Sequence, residues 1–307
     1  MIADFFAALF GVTLALILAP FLRTLINRTK ARMAGRQGPP LLQPYWSLAR
    51  LLRKGAVYST TTTWMFRAGP VVTLATMFGA LCLVPFGGNP ALLHFEGDVL
   101  LMAYLLALGR FFTILAALDT GSSFEGMGAN REAFFSALSE PALLLGVAGL
   151  GAITGSVSLS GIYGRLGNSA FLGSHLPAMI FILAAFVIVY LTENARIPVD
   201  DPTTHLELTM IHEVMVLDHC GVDLAFIEYA GALKLWALGL LITGIVFPVS
   251  TGSFWLDAGV SLASMAVLQI CVGLVESLMA RLKMGRVPLL LGIAFVMSTL
   301  WIMWVVR

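Results

Sequence analysis

Eight stretches of nearly unbroken apolar residues, each about the length a lipid bilayer demands, govern what this chain can fold into. They run over roughly 4–22, 68–87, 97–118, 134–156, 174–193, 224–247, 256–280 and 287–306. The hydrocarbon core of a bilayer takes about 20 residues of helix to cross, and lipid offers the backbone no hydrogen-bond partner, so such stretches are expected as helices. Composition agrees. The chain is 59% hydrophobic and 11% charged, whereas a soluble domain carries about a quarter of its residues charged, and the deficit leaves too little polar surface to face water all round. The expected fold is an all-α integral membrane protein of about eight transmembrane helices, in one polytopic domain over 1–307. No internal repeat at a fixed period is visible, so the inverted-repeat architecture of secondary transporters is not expected.

The basic residues orient the chain. Arg23, Arg28, Lys30, Arg32, Arg36, Arg50, Arg53, Lys54 and Arg67 fall in the first connection with no acid among them, and Arg131, Arg196, Arg281, Lys283 and Arg286 fall in the other odd-numbered connections. By the positive-inside rule these connections face the cytoplasm and both termini face the opposite side. Asp4 stands where a cleavable signal would carry basic residues, so the first stretch reads as a retained helix. Within the basic loop 23–67, Leu41, Tyr45, Leu48 and Leu52 recur at helical spacing while Ser47, Arg50 and Lys54 fall off that line. This predicts an amphipathic helix in the membrane interface, entered through Gly38-Pro39-Pro40. Cys82, Cys220 and Cys271 lie far apart with no paired spacing. That argues against a thiolate-bound zinc or iron–sulfur cluster in this chain, and redox chemistry would belong to partner subunits.

Charges at membrane depth cost about 3 kcal/mol each on insertion scales, so those present demand a reason. They are Arg110, Glu140, Glu193, Glu228, Lys234 and Glu276. Any one of them reads equally well as half of a structural ion pair or as part of an ion path, but six together exceed what one or two pairs need. The densest region is the acidic loop 193–228, with Glu193, Asp200, Asp201, Glu207, Glu213, Asp218, Asp223 and Glu228, three histidines and only Arg196 as a base. Interleaved leucines, valines and methionines predict that this loop lies against the membrane or a partner. His205, His212 and His219 are spaced by seven, which on a helix leaves them ~10 Å apart. One metal ion cannot bridge that gap, and the spacing suits proton passage or plain surface polarity instead. No nucleophile triad, phosphate loop, dinucleotide fingerprint or nucleic-acid-binding pattern stands out.

Three stretches together resemble one family. Arg36-Gln37-Gly38-Pro39 followed by Leu42-Gln43-Pro44 is similar to the first loop of subunit 1 of the respiratory-chain NADH dehydrogenase, the NADH–quinone oxidoreductase. Leu191-Thr192-Glu193-Asn194-Ala195-Arg196-Ile197-Pro198-Val199-Asp200 looks like that family's LAExNRxPFD motif, and Glu228-Tyr229 falls where the family has its AEY. The resemblance covers essentially the whole chain. Thr203 and His205 stand where the respiratory members carry glutamates. Arg110-Phe111-Phe112, Leu118-Asp119-Thr120-Gly121-Ser122, Arg131-Glu132-Ala133, Glu140-Pro141 and Met279-Ala280-Arg281-Leu282 resemble instead the hydrogenase branch, the membrane subunits of formate hydrogenlyase and hydrogenase-4 complexes.

That resemblance implies a non-catalytic membrane-anchor and coupling subunit of a group 4 nickel–iron hydrogenase-type, complex I-like assembly in a prokaryotic inner membrane. Its partners would be hydrogenase-like large and small subunits of a peripheral arm, which hold the nickel–iron centre and iron–sulfur clusters, and antiporter-like membrane subunits. Arg32, Arg36, Gly38, Pro39, Gln43 and Pro44 would help dock the arm. Glu140, Glu193, Glu207, Glu213, Glu228 and Asp200 are the candidates for a proton path, with Arg110, Arg196 and Lys234 as counter-charges. The alternatives are a subunit lining the quinone site of a respiratory NADH dehydrogenase-like complex, a scaffold that transports nothing, and a stand-alone ion transporter.

Overall fold

A computed structural model describes the backbone of residues 2–167, 169–200, 210–248 and 251–306, and the side chains of all of these but 2, 3 and 169–176. The described residues form α-helices and short connections. Eight long helices match the eight expected spans: α1 (Ile2–Met33), α3 (Trp64–Cys82), α4 (Asp98–Asp119), α5 (Ser123–Thr154), α7 (Ser169–Glu193), α8 (Gly221–Val246), α9 (Phe254–Leu278) and α10 (Val287–Val306). Seven of these are long and apolar enough to cross a membrane, and α7 adds the apolar stretch Pro177–Glu193. Two short helices, α2 (Gln43–Leu52) and α6 (Leu159–Leu166), lie between them.

Two helices run past their apolar stretches toward one face. α1 continues to Met33, so Arg23, Arg28, Lys30 and Arg32 stand on a helix and not in the loop expected to begin at residue 23. Cations there complement the helix dipole. The helix stops at Gly35, whose φ of 65° lets the Arg36 amide donate back to the Ala31 carbonyl at 2.8 Å, a left-handed cap that glycine adopts without strain. α5 begins at Ser123, well before the expected residue 134, because Glu125 and Glu132 in its first turns are buried by protein. The face at which α1 ends also holds the start of α5 and the connections after α7 and α9. This basic face lies opposite the far face, where α4 and α9 begin.

Helix α8 is the axle. It packs on α1, α2, α3, α6, α7 and α9, and Trp236, Leu233 and Ala237 on it are at most 1% exposed. Elsewhere small residues let neighbours approach, as expected where lipid gives helices no hydrophobic reason to associate. On α5, Gly146 and Gly149 receive Phe186 of α7 and Trp301 of α10, and the Trp301 indole donates to the Gly146 carbonyl at 3.1 Å. The far face is closed by the connection 83–97 and by α6. There the fully buried Asp98 accepts from the Ser158 hydroxyl at 2.6 Å and the Leu159 amide at 2.8 Å, capping α6 from another helix.

The interfacial helix is present as α2, with Pro44 in its first turn, where a missing N–H costs nothing. It packs on α1 and α8, and the Tyr45 hydroxyl donates to the Ile17 carbonyl at 2.6 Å. Leu41 lies in the turn before the helix, its carbonyl accepting from the Thr24 hydroxyl. Leu52 and Trp46 are exposed, so the apolar line of α2 is shared between its own bundle and the exterior. The acidic segment departs more from expectation. Residues 210–216 fold into the bundle of their own chain: Met210, Ile211, Val214 and Met215 are at most 2% exposed, and Val214 and the Ile211 carbonyl sit on Gly128 of α5. Asp223 and Glu228 belong to α8, not to a loop.

A Cβ at Gly146 would stand 2.4 Å from the Phe186 ring. Gly146→Leu is therefore expected to pry α5 from α7, at about 1–3 kcal/mol for an overpacked core. Thermal unfolding in detergent would read this as a lowered midpoint, with Gly126→Ala, which faces open space, as the control.

Candidate functional site

Glu125, Glu132 and Ser139 recur every seven residues on α5, so they share a face, and all three are buried. That face meets Arg110 of α4. Arg110, Lys234 of α8 and Glu140 of α5 lie twelve, twelve and fourteen residues from the far-face ends of their helices, which places all three ~18–21 Å from that end at 1.5 Å per residue. At this depth an unpaired charge would carry a desolvation cost of many kcal/mol. None is unpaired.

The Arg110 guanidinium is the hub. It donates to both carboxylate oxygens of Glu193 at 2.7 Å, to Glu140, and stands 3.3 Å from Glu132. Lys234 Nζ lies 2.9 Å from the other side of Glu193, and the Ser139 hydroxyl donates to the same carboxylate at 3.1 Å. Glu193 is the last residue of α7, which closes with Ala195 in the left-handed region (φ 52°) and the Arg196 amide donating back to the Leu191 carbonyl at 2.8 Å. This reverses the chain at once and turns Arg196 away from Glu193. On α5, Pro141 has no N–H, so the Ala137 carbonyl loses its helical partner one turn from Glu140.

The network continues toward the basic face. His212 bridges two carboxylates, with Nε2 at 3.2 Å from Glu132 and Nδ1 at 3.4 Å from Asp200. Asp200 in turn accepts from the His212 and Ile211 amides at 3.1 and 3.3 Å and from Arg281 at 2.9 Å. Burial alone pushes the His212 imidazole down, but the two carboxylates outweigh it and hold the pKa at about 9. Burial likewise raises Asp200, but His212 and Arg281 bring it below the usual carboxylate range. The result is one chain of contacts, Arg281–Asp200–His212–Glu132–Arg110–Glu193–Lys234, with Glu140 as a branch. Glu140 reaches a lateral cavity of about 110 Å³ between α4, α5 and α7, whose rim carries Tyr104 and Leu144. Its side chain keeps 42% exposure, the only part of the Arg110 cluster to look outward to that degree among the described residues.

The other expected site residues form separate pairs. Arg196 faces Glu276 of α9 at 3.5 Å, and Lys30 of α1 holds the same carboxylate at 2.9 Å. Burial pulls the Arg196 guanidinium below its ordinary pKa, and Glu276 opposes this. Glu228 pairs with Arg23 on the α1–α8 seam and is half exposed. Glu213 opens a 3-10 turn beside the network without entering the pairs above. Glu207, with Asp201, Thr203 and His205, lies outside the described residues. Arg32 and Arg36 are exposed on the basic face, Gly38 rests against Arg28, and Pro39, Gln43 and Pro44 are half-buried at the start of α2. His219 is buried, stacked on Phe66 at 3.9 Å, and burial pushes it down to about 4. Sequence reasoning missed Glu132 and His212 as links and the Lys30–Glu276 pair. The heptad spacing of Glu125, Glu132 and Ser139 was the available signal for the first. No group of three or more metal-ligating side chains is gathered among the described residues.

Because folding raises the His212 pKa from 6.5 to about 9, its contribution is full below pH 6.5 and is lost as pH climbs through 9. The difference in thermal midpoint between the native chain and His212→Gln is thus expected to be largest below pH 6.5 and to shrink by pH 10. A gap that grew with pH would contradict the bridging role.

Comparison with known proteins follows the same lines. A family profile described as NADH dehydrogenase matches residues 6–306. Formate hydrogenlyase subunit 4 of Escherichia coli (strain K12) is 28% identical over 291 residues, covering 92% of this chain and 93% of the relative. Hydrogenase-4 component C of the same organism is 28% identical over 305 residues, covering 97% and 95%. A subunit of the NADH-quinone oxidoreductase of Burkholderia vietnamiensis (strain G4 / LMG 22486) is 26% identical over 254 residues, covering 76% and 71%. A chain in the structure of the membrane-bound sulfane sulfur reductase, an archaeal respiratory membrane complex, superposes with a TM-score of 0.84 over 99% of both chains at 19% identity, and so shares the fold. With eight long helices among the described residues, its LTENARIPVD turn and a profile match over residues 6–306, the chain belongs to the NADH dehydrogenase family.

Proposed function

We propose that this chain is the membrane-anchor and coupling subunit of a complex I-like, hydrogenase-type oxidoreductase, docking a peripheral redox arm on its basic face and linking electron transfer to proton or sodium movement. The observation that carries the proposal is the Arg110 hub. Three carboxylates and a lysine gather around one guanidinium that stands ~18 Å along α4 from its far-face end, tied through His212 to a segment folded in from the basic face. Such a chain changes its proton affinity when any member moves, because each carboxylate's ionisation depends on its neighbours' charge. Near-complete coverage of the two hydrogenase-type relatives, against partial coverage of the NADH-quinone oxidoreductase relative, supports the hydrogenase branch. The nickel–iron centre and iron–sulfur clusters would then reside in hydrogenase-like large and small subunits. Glu140, half open to the lateral cavity, faces the surface where an antiporter-like subunit would sit. The exposed Arg32 and Arg36, with α2, form the surface for the arm. The excess of basic residues on that face supports a cytoplasmic orientation for it, and the bacterial and archaeal relatives support a prokaryotic membrane.

The scaffold reading rests on one observation of its own. With His212 protonated, the positive members of the chain, Arg110, Lys234, Arg281 and His212, balance Glu132, Glu140, Glu193 and Asp200, as a purely structural network would. Substitution separates the two. Glu193→Gln in the assembled complex is expected to keep subunit composition and artificial-acceptor electron transfer while abolishing coupled ion movement in proteoliposomes. Normal ion movement would leave the scaffold. Arg110→Gln strands buried carboxylates and is expected to cost 3 kcal/mol or more, as broken buried pairs do (roughly 3–5), read as loss of the subunit from the membrane. Charge reversal at Arg32 and Arg36 together is expected to release the arm on purification while the eight-helix domain stays folded.

A further inference from the structure

A different set of polar groups crosses the other half of the bundle. On α9, Asp257, Ser261, Ser264, Gln269 and Glu276 fall within one side of the helix. The two serines open at the far face into a cavity of about 240 Å³ that they line with Thr243 of α8 and Tyr163 of α6. A neighbouring pocket of about 10 Å³, just the size of one water, shares Pro90 and Leu240 with it and is walled by Trp236. The Trp236 indole N–H is buried with no protein partner among the described residues, which in a folded protein usually means an ordered water.

Immediately beneath the cavity the lining changes. Gly239 and Met265 are the sequence neighbours of its wall residues Leu240 and Ser264, and the Met265 thioether rests on Gly239, where a Cβ would meet Sδ at 3.0 Å and the Tyr190 hydroxyl at 3.5 Å. Tyr190 is 1% exposed and Gln269 not at all. The Gln269 carboxamide donates to the Tyr190 hydroxyl at 3.0 Å, and that hydroxyl lies 3.3 Å from the Leu235 carbonyl. Tyr190 stands one helical turn before Glu193 on α7, and its phenol and Arg196 are close enough to interact electrostatically. Arg196 leads on to Glu276 and Lys30.

We propose that this is a proton file closed by Met265: water in the far-face cavity reaches the Tyr190–Gln269 pair when the thioether swings aside, and protons pass between that water and the carboxylates Glu193 and Glu276. A hydroxyl relays by accepting a proton on its oxygen from one side and giving up its own on the other, so Tyr190 ends each passage neutral. Gln269 holds the ring oxygen at the seam, and methionine, unbranched and flexible, suits a stopper that yields without repacking its neighbours. The inference rests on the coupling reading for the source of the proton, but its test does not.

The assembled complex, reconstituted in liposomes with a trapped pH-sensitive dye and no electron donor, is subjected to a pH step. Met265→Ala is expected to raise passive proton influx above the native level, and Met265→Leu is not. Adding Gln269→Leu or Tyr190→Phe to Met265→Ala is expected to return influx to native. No rise with Met265→Ala, or a rise that survives both second substitutions, overturns the file. Should Met265→Ala fail to assemble, Ser264→Cys in a chain lacking Cys82, Cys220 and Cys271 is expected to react with a water-soluble, membrane-impermeant thiol reagent added at the far face, and absence of reaction overturns it as well. A Met265→Ala leak beside normal coupled flux in Glu193→Gln would remove the coupling reading and keep the file. The reverse pattern would do the opposite.

Discussion

A guanidinium can be held at the middle of a membrane bundle only if its charge is answered on nearly every side, and Arg110 imposes that requirement on everything around it. Glu193, Glu140 and Glu132 come from two helices, and Lys234 from a third, with His212 beside Glu132, offsets the excess of carboxylate. Each partner must arrive at the same depth and rotation. The left-handed turn that ends α7 at Glu193, the depth at which α8 carries Lys234 and the long extension of α5 that brings Glu132 inward all serve that meeting. The bundle cannot shear by a turn at any of these helices without stranding a charge in a medium that does not solvate it.

The same requirement draws the segment after α7 into the bundle. Asp200 and His212 complete the sequence of contacts from Arg110 to Arg281, and the apolar residues of 210–216 fill the space between α4 and α5. A stretch that is polar in composition is therefore packed like a core element. Its attachment is both electrostatic and hydrophobic, so a change of charge at the hub reaches its imidazole through one carboxylate, Glu132. The anchoring of this segment therefore depends on the protonation of His212.

Glycines do the complementary work. Gly128, Gly146, Gly149 and Gly239 stand where a neighbour's side chain or backbone already occupies the space of a Cβ. Close approach brings polar groups of different helices within hydrogen-bonding reach, as at Tyr190, Gln269 and the Leu235 carbonyl. Wider helix spacing would leave those groups unsatisfied in a low-dielectric interior, where each costs a few kcal/mol.

Much of this was legible in the chain itself. Length and apolarity determined eight helices because a bilayer permits nothing else over such stretches. The spacing of Tyr45 and Leu48 marked α2, the basic residues marked one face, and Glu193, Arg196, Pro198 and Asp200 marked the family. The unusual charges were visible as unusual. Their pairing was not: Glu193 and Arg196 are three residues apart yet answer different partners, Arg110 and Lys234 for the one and Glu276 for the other. Glu228 met Arg23 and stayed outside the hub, and Glu132 entered it. Periodicity reports which side of a helix a residue is on, but a pair between helices depends on relative depth, rotation and the direction of each helix end. Those are set only when all eight helices pack, since the cost of an unpaired charge is decided by the whole surroundings and not by sequence neighbours.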